Sequence, residues 1–111
     1  MSLNRLLAAA NRTWHGVKLG QPDWTPSSHS VALCAEDRKE KFFLHVILNA
    51  YWEPLEFELP EAGWHGTGLW RRWIDTGLDS PNDIAEWEKS PLVSAQTYPT
   101  QPRSVVVLIA R

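Results

Sequence analysis

Hydrolysis of a glycosidic bond needs two carboxyl groups facing each other across a cleft, one to protonate the leaving oxygen and one to act as base or nucleophile. Glu53, Glu56, Glu58, Asp75, Asp79, Asp83, Glu86 and Glu88 could supply that chemistry. Glu56 and Glu58, however, alternate with Leu55, Phe57 and Leu59, which puts them on the solvent face of an amphipathic strand, and the others fall in turn-rich stretches. His15, His29, His45 and His65 stand at no metal-ligand spacing with one another or with Cys34, and no His-x-x-x-His pair occurs. His45 shares a strand face with Phe43 and Ile47, the place of a hydrogen-bonded histidine at the edge of a core. Asp75, Asp79 and Asp83 recur every fourth residue, without the alternate-residue pattern of a calcium loop, and suit capping and Asx turns. No serine precedes a recognisable general base, and no glycine-rich phosphate loop follows a strand. These residues predict a noncatalytic chain with no metal and no cofactor.

Seven tryptophans in 111 residues are the compositional oddity. Large aromatics fill the cores of small β domains, and most of the seven are expected to pack. A flat indole left in a loop is also a platform for the apolar C–H face of a sugar ring, and Trp24, Trp52 and Trp64 are the loop-borne candidates. A second constellation lies between Leu48 and Pro60. The apolar run Phe42 to Leu48 reads as a strand covered on both faces, and Leu55 to Leu59 reads as a half-exposed strand. Asn49, Tyr51, Trp52 and Pro54 form a structural corner between them, where Pro54 fixes its own φ and removes a donor.

The elements that must position these residues are short. Leu3, Leu6, Leu7 and Ala10 recur at helical spacing, so Ser2 to Asn11 predicts a short amphipathic helix. Strands are expected at Trp14 to Leu19, His29 to Glu36, Lys41 to Tyr51, Leu55 to Leu59, Leu69 to Asp75 and Ser104 to Ala110. A brief pairing is expected at Gln96 to Tyr98, before Pro99 and Pro102 interrupt the ladder. Thr76 to Pro91 is a long excursion with a short strand or turn of helix near Ile84. The fold class is therefore all-β, an antiparallel β-sandwich of about seven or eight strands with a short N-terminal helix. The domain division is a helix or extension over residues 1–12 and a sandwich over 13–111.

Composition narrows the partners. A formal net charge of −2 with interspersed signs gives no basic field for nucleic acid. No apolar segment approaches the roughly 18 residues of a membrane span, and the start lacks the long apolar core of a signal peptide. Cys34, the single cysteine, lies in an apolar run and reads as a small buried hydrophobe. A cytoplasmic location is the simplest expectation.

Several ordered motifs carry a resemblance. They are Trp14-His15-Gly16-Val17-Lys18-Leu19-Gly20-Gln21-Pro22-Asp23-Trp24, Ser28-His29-Ser30 and Leu48 through Pro60, followed by Trp70-Arg71-Arg72-Trp73-Ile74-Asp75-Thr76, Ser80-Pro81-Asn82-Asp83-Ile84 and Arg103 through Leu108. From about Trp14 onward the chain resembles the C-terminal domain of bacterial glycogen debranching enzymes of the isoamylase type, in the alpha-amylase superfamily of glycoside hydrolases. Such enzymes hydrolyse α-1,6 branch linkages with an aspartate nucleophile and a glutamate acid housed in a (β/α) barrel. No segment here corresponds to that barrel. The resemblance therefore implies a noncatalytic accessory domain, alpha-amylase C-terminal-domain-like, whose partner is the catalytic barrel in cis or in trans. A glucan-binding module that takes an α-glucan on Trp24, Trp52 and Trp64, or a freestanding partner of a debranching enzyme, is the alternative.

Overall fold

The computed structural model describes residues 11–37, 42–61, 69–86 and 89–110. The predicted helix at the N-terminus, the connection around residues 38–41 and Trp64 lie outside them. The described residues form β1 (Asn11–His15), β2 (Ser30–Asp37), β3 (Phe42–Asn49), β4 (Leu55–Glu58), β5 (Trp70–Asp75), β6 (Leu92–Val93), β7 (Thr97–Thr100) and β8 (Ser104–Ala110). Six of them make one sheet in the order β1-β2-β3-β8-β5-β6, and β4 pairs with β7 in a second. Every pairing is antiparallel. The fold is all-β and sandwich-like, as the alternating strand patterns predict.

The core lies between the sheets. Ala32, Phe43, Ile47, Val106, Leu108 and Trp70 come from the larger sheet and meet Phe57, Leu59 and Tyr98 from the smaller sheet and its flank. Alternation along each strand sends the intervening residues outward, where Ala35, Leu44 and Ile109 make a second apolar cluster flanked by Val46, Trp73 and Val107. Three residues apart in β5, Trp70 and Trp73 fall on opposite faces, Trp70 inside the sandwich and Trp73 in the outer cluster, and the bulge between Arg72 and Ile74 then brings Asp75 into register with the buried Val106.

Three expected boundaries move. The first strand runs Asn11–His15 rather than Trp14 to Leu19. The chain turns at Gly16, where the lack of a side chain admits the Gln21 carbonyl oxygen to 2.4 Å from the place a Cβ would take, and the Val17 carbonyl then accepts from Glu58 N–H at 2.8 Å, joining the opposite sheet. Pro99 does not interrupt its strand, since β7 runs Thr97–Thr100. In a two-stranded sheet each strand has one free side, where a missing N–H costs no ladder bond. The break comes after Thr100, across Gln101, Pro102 and Arg103, and Arg103 takes a φ of 52° in the left-handed region. Finally, β6 was not legible as a strand, and the excursion after Thr76 is anchored by a bridge between Ile74 and Ile84.

Candidate functional site

A buried amide organises the corner after β3. Asn49 is 1% exposed and stands in register with Ser30 of β2 and Ser104 of β8. Its Oδ1 accepts from Tyr51 N–H at 3.0 Å. Its Nδ2 faces three acceptors at 3.1 Å, the Glu53 and Gln101 carbonyls and Thr100 Oγ1, so two amide protons are shared among them. Thr100 Oγ1 passes its own proton to the Leu55 carbonyl at 2.8 Å, and Arg103 N–H donates to the Tyr51 carbonyl at 3.1 Å. The end of β3, the start of β4, the end of β7 and the approach to β8 thus converge on one side chain. Tyr51 is half-buried and stacks on His29, with ring centroids 5.6 Å apart and planes at 21°. Trp52 leans on Tyr51 at 5.5 Å and remains 69% exposed. Pro54 is also exposed.

Trp24 stands on the other side of the same surface. It is 63% exposed and meets Trp14 edge-on, with centroids 5.3 Å apart and planes at 75°. Its loop is held from within: Asp23 Oδ1 accepts from Thr25 N–H at 3.0 Å and from Thr25 Oγ1 at 2.7 Å, and Ser28 N–H donates to the Thr25 carbonyl at 3.0 Å. The two hydrogen bonds from Thr25 hold the exposed Asp23 carboxyl below the usual range. The Ala50 N–H donates to the His29 carbonyl at 2.8 Å, closing the other wall. Between the walls is a groove of about 340 Å³. Its floor is the cross-strand pair Val31 and Leu48, and Asp23, Trp24, Thr25, Ser28 and His29 form its rim. Leu48 is 42% exposed, so the strand read as covered on both faces opens here.

A larger groove of about 560 Å³ runs past Leu19, Glu58, Leu59 and Trp70. It offers no comparable platform, because the Trp70 indole is 4% exposed and donates through Nε1 to the Pro60 carbonyl at 2.8 Å.

Glu56, Glu58 and Asp75 are engaged in structure. Glu58 Oε1 accepts from Leu19 N–H at 3.0 Å and Glu56 Oε1 from Thr97 Oγ1 at 2.6 Å. Asp75 is 2% exposed, its Oδ1 accepting from Gly77 N–H at 2.9 Å and its Oδ2 from the Tyr98 hydroxyl. Burial, and then the Asp75 carboxylate, raise the Tyr98 hydroxyl well above its ordinary pKa. Burial first, and Glu36 second, push the Cys34 thiol up to about 11, which keeps it protonated and unreactive at neutral pH. His45 corrects the expectation of a hydrogen-bonded core-edge histidine. It is fully buried, 5.9 Å from the His15 ring and 5.7 Å from Trp70, and neither ring nitrogen has a hydrogen-bond partner among the described residues. Strand alternation points it inward with the apolar Phe43 and Ile47, where among the described residues no polar group hydrogen-bonds to it. Burial, with His15 a smaller cause, lowers its pKa to about 4. Among the described residues no group of three His, Cys, Asp or Glu is placed to hold a metal ion.

The structure therefore brings Trp24 onto a groove rim and places Trp52 beyond Tyr51. Trp14, His29 and Leu48, which join them, were not singled out by sequence. Strand register joins them: Trp14 pairs with Leu33 in β1–β2, and Val31 with Leu48 in β2–β3, which puts them on one face, and no local pattern in the sequence signals that pairing.

Two antiparallel sheets, with Glu56, Glu58 and Asp75 held in hydrogen bonds between their strands and turns, define an all-β domain. Residues 13–108 match the family model described as isoamylase 1-3, C-terminal, and the chain belongs to that family. It is also 36% identical over 71 residues to isoamylase 1, chloroplastic, from Oryza sativa subsp. japonica. That match covers 64% of this chain and 8% of the rice protein, so the chain corresponds to a small part of that relative's length. The similarity is thus to the C-terminal domain family of isoamylases and to a plant isoamylase.

Proposed function

We propose that this chain is a noncatalytic accessory domain of an isoamylase-type debranching hydrolase, supporting a catalytic barrel that cleaves α-1,6 linkages in glycogen metabolism. The observation that carries this reading is the family match over residues 13–108. The site chemistry agrees with it. The one carboxylate buried among the described residues, Asp75, receives hydrogen bonds from Tyr98 and Gly77 and serves to join the two sheets. Strands β3 and β8 present apolar residues on both faces, inward at Ile47 and Leu108 and outward at Leu44 and Ile109, the pattern of a layer with neighbours on either side. The barrel reaches this surface in cis, within a longer chain, or in trans. Incubating the purified chain with glycogen and with pullulan tests the reading. No reducing sugar is expected above buffer, and steady release by a preparation free of amylase would overturn it.

A further inference from the structure

The geometry points to the groove between Trp24 and His29 as a carbohydrate subsite that takes a linear α-glucan segment, with the Trp24 indole as its stacking face. Three observations lead there. The first is a large apolar side chain held out in solvent. Trp24 is 63% exposed, and beside it Trp14 is 45% and Leu48 42% exposed, a cluster of a kind that folded surfaces rarely leave without use.

The second is that the platform is pre-formed. Trp14 supports the indole edge-on, and the hydrogen bonds within residues 23–28 fix its loop, so a ligand orders little when it arrives. The third is the character of the lining. Apolar Val31 and Leu48 form the floor, the hydroxyls of Thr25 and Ser28 stand on the rim with the Asp23 carboxylate and His29 as further polar partners for sugar hydroxyls, and neither Lys nor Arg lines the groove. A phosphate or other anion would find no cation, whereas a neutral ring with one apolar face and a hydroxylated edge meets both surfaces it needs. Beyond His29, the stacked Tyr51 and the exposed Trp52 continue the aromatic path away from the groove.

That the sugar is α-linked glucose rests on the proposed place of this chain in a debranching hydrolase; that the ligand is a neutral pyranose chain rests on the groove itself. Titrating the purified chain with maltoheptaose by calorimetry, with cellohexaose as the competing probe, separates the two. Saturable binding of maltoheptaose, weakened at least fivefold by Trp24→Ala and unchanged by Leu92→Ala at the far edge of the sheet, is the expected result. Trp24 is exposed, so its removal leaves the core intact, and unchanged unfolding midpoints verify that. Absence of maltoheptaose binding, or binding indifferent to Trp24→Ala, overturns the subsite and leaves the accessory-domain reading standing. Preference for cellohexaose overturns the α-glucan assignment and counts against the debranching reading as well.

Discussion

The fully buried imidazole of His45 burdens this core. With both nitrogens of His45 lacking partners among the described residues, the desolvation of its polar atoms is uncompensated, a cost on the order of 1–3 kcal/mol. Replacing it with an apolar side chain of similar volume removes that cost. His45→Leu is expected to raise unfolding stability by about 1 kcal/mol at neutral pH, read as an increase in the urea midpoint. The same residue sets a pH dependence. Its folded pKa of about 4 lies below the ordinary 6.5, so the unfolded chain binds the proton first as pH falls. Stability is complete above pH 6.5 and declines between 6.5 and about 4, by up to about 3 kcal/mol from this group. His15, also lowered by burial, adds to the decline in the same direction. Urea midpoints at pH 7.5, 5.5 and 4.5 should fall in that order for the wild type and flatten in His45→Leu; parallel curves for the two proteins would remove His45 as the cause.

The element scale turns on how two sheets of unequal size are tied together. Asn49 at the end of β3 satisfies groups at the margins of β4, β7 and β8, and Asp75 at the end of β5 receives the Tyr98 hydroxyl from β7. Removing either donor leaves buried acceptors unpaired. Asn49→Ala and Tyr98→Phe are each expected to destabilise by about 2–4 kcal/mol, measured by denaturant unfolding. Gly16→Ala should cost more than about 1 kcal/mol, because its Cβ would meet a backbone oxygen that cannot move without opening the turn into Val17. The strands with strong side-chain patterns were legible in sequence: Ser104 to Ala110 is β8 to the residue, and the alternation of Leu55, Phe57 and Leu59 places β4. The elements missed have no such pattern. Polar Asn11 to Thr13 become strand only because β2 offers them an edge, and the two residues of β6 exist only beside Trp70 and Arg71. Tertiary pairing, which single-strand periodicity does not encode, decided both.

At the scale of the whole molecule, the two sheets give the chain an inner core and an aromatic rim. The indoles were visible as a compositional excess, and Trp24 and Trp52 as loop-borne members of it. What joins Trp24 to Trp14, and His29 to Tyr51, is the register that sets β1, β2 and β3 side by side. Contacts between residues distant in sequence leave no local pattern, so the groove emerged only with the fold. The proposed accessory role belongs to this scale too, since supporting a barrel is a property of the assembled surface and not of one side chain. A ligand or partner that binds only the folded state raises its thermal midpoint by mass action. The most direct test is the thermal midpoint of an isoamylase catalytic domain, purified without its own C-terminal domain, measured with and without an excess of this chain. The accessory-domain account predicts a concentration-dependent rise in that midpoint; a midpoint unmoved across saturating concentrations of the folded chain would contradict it.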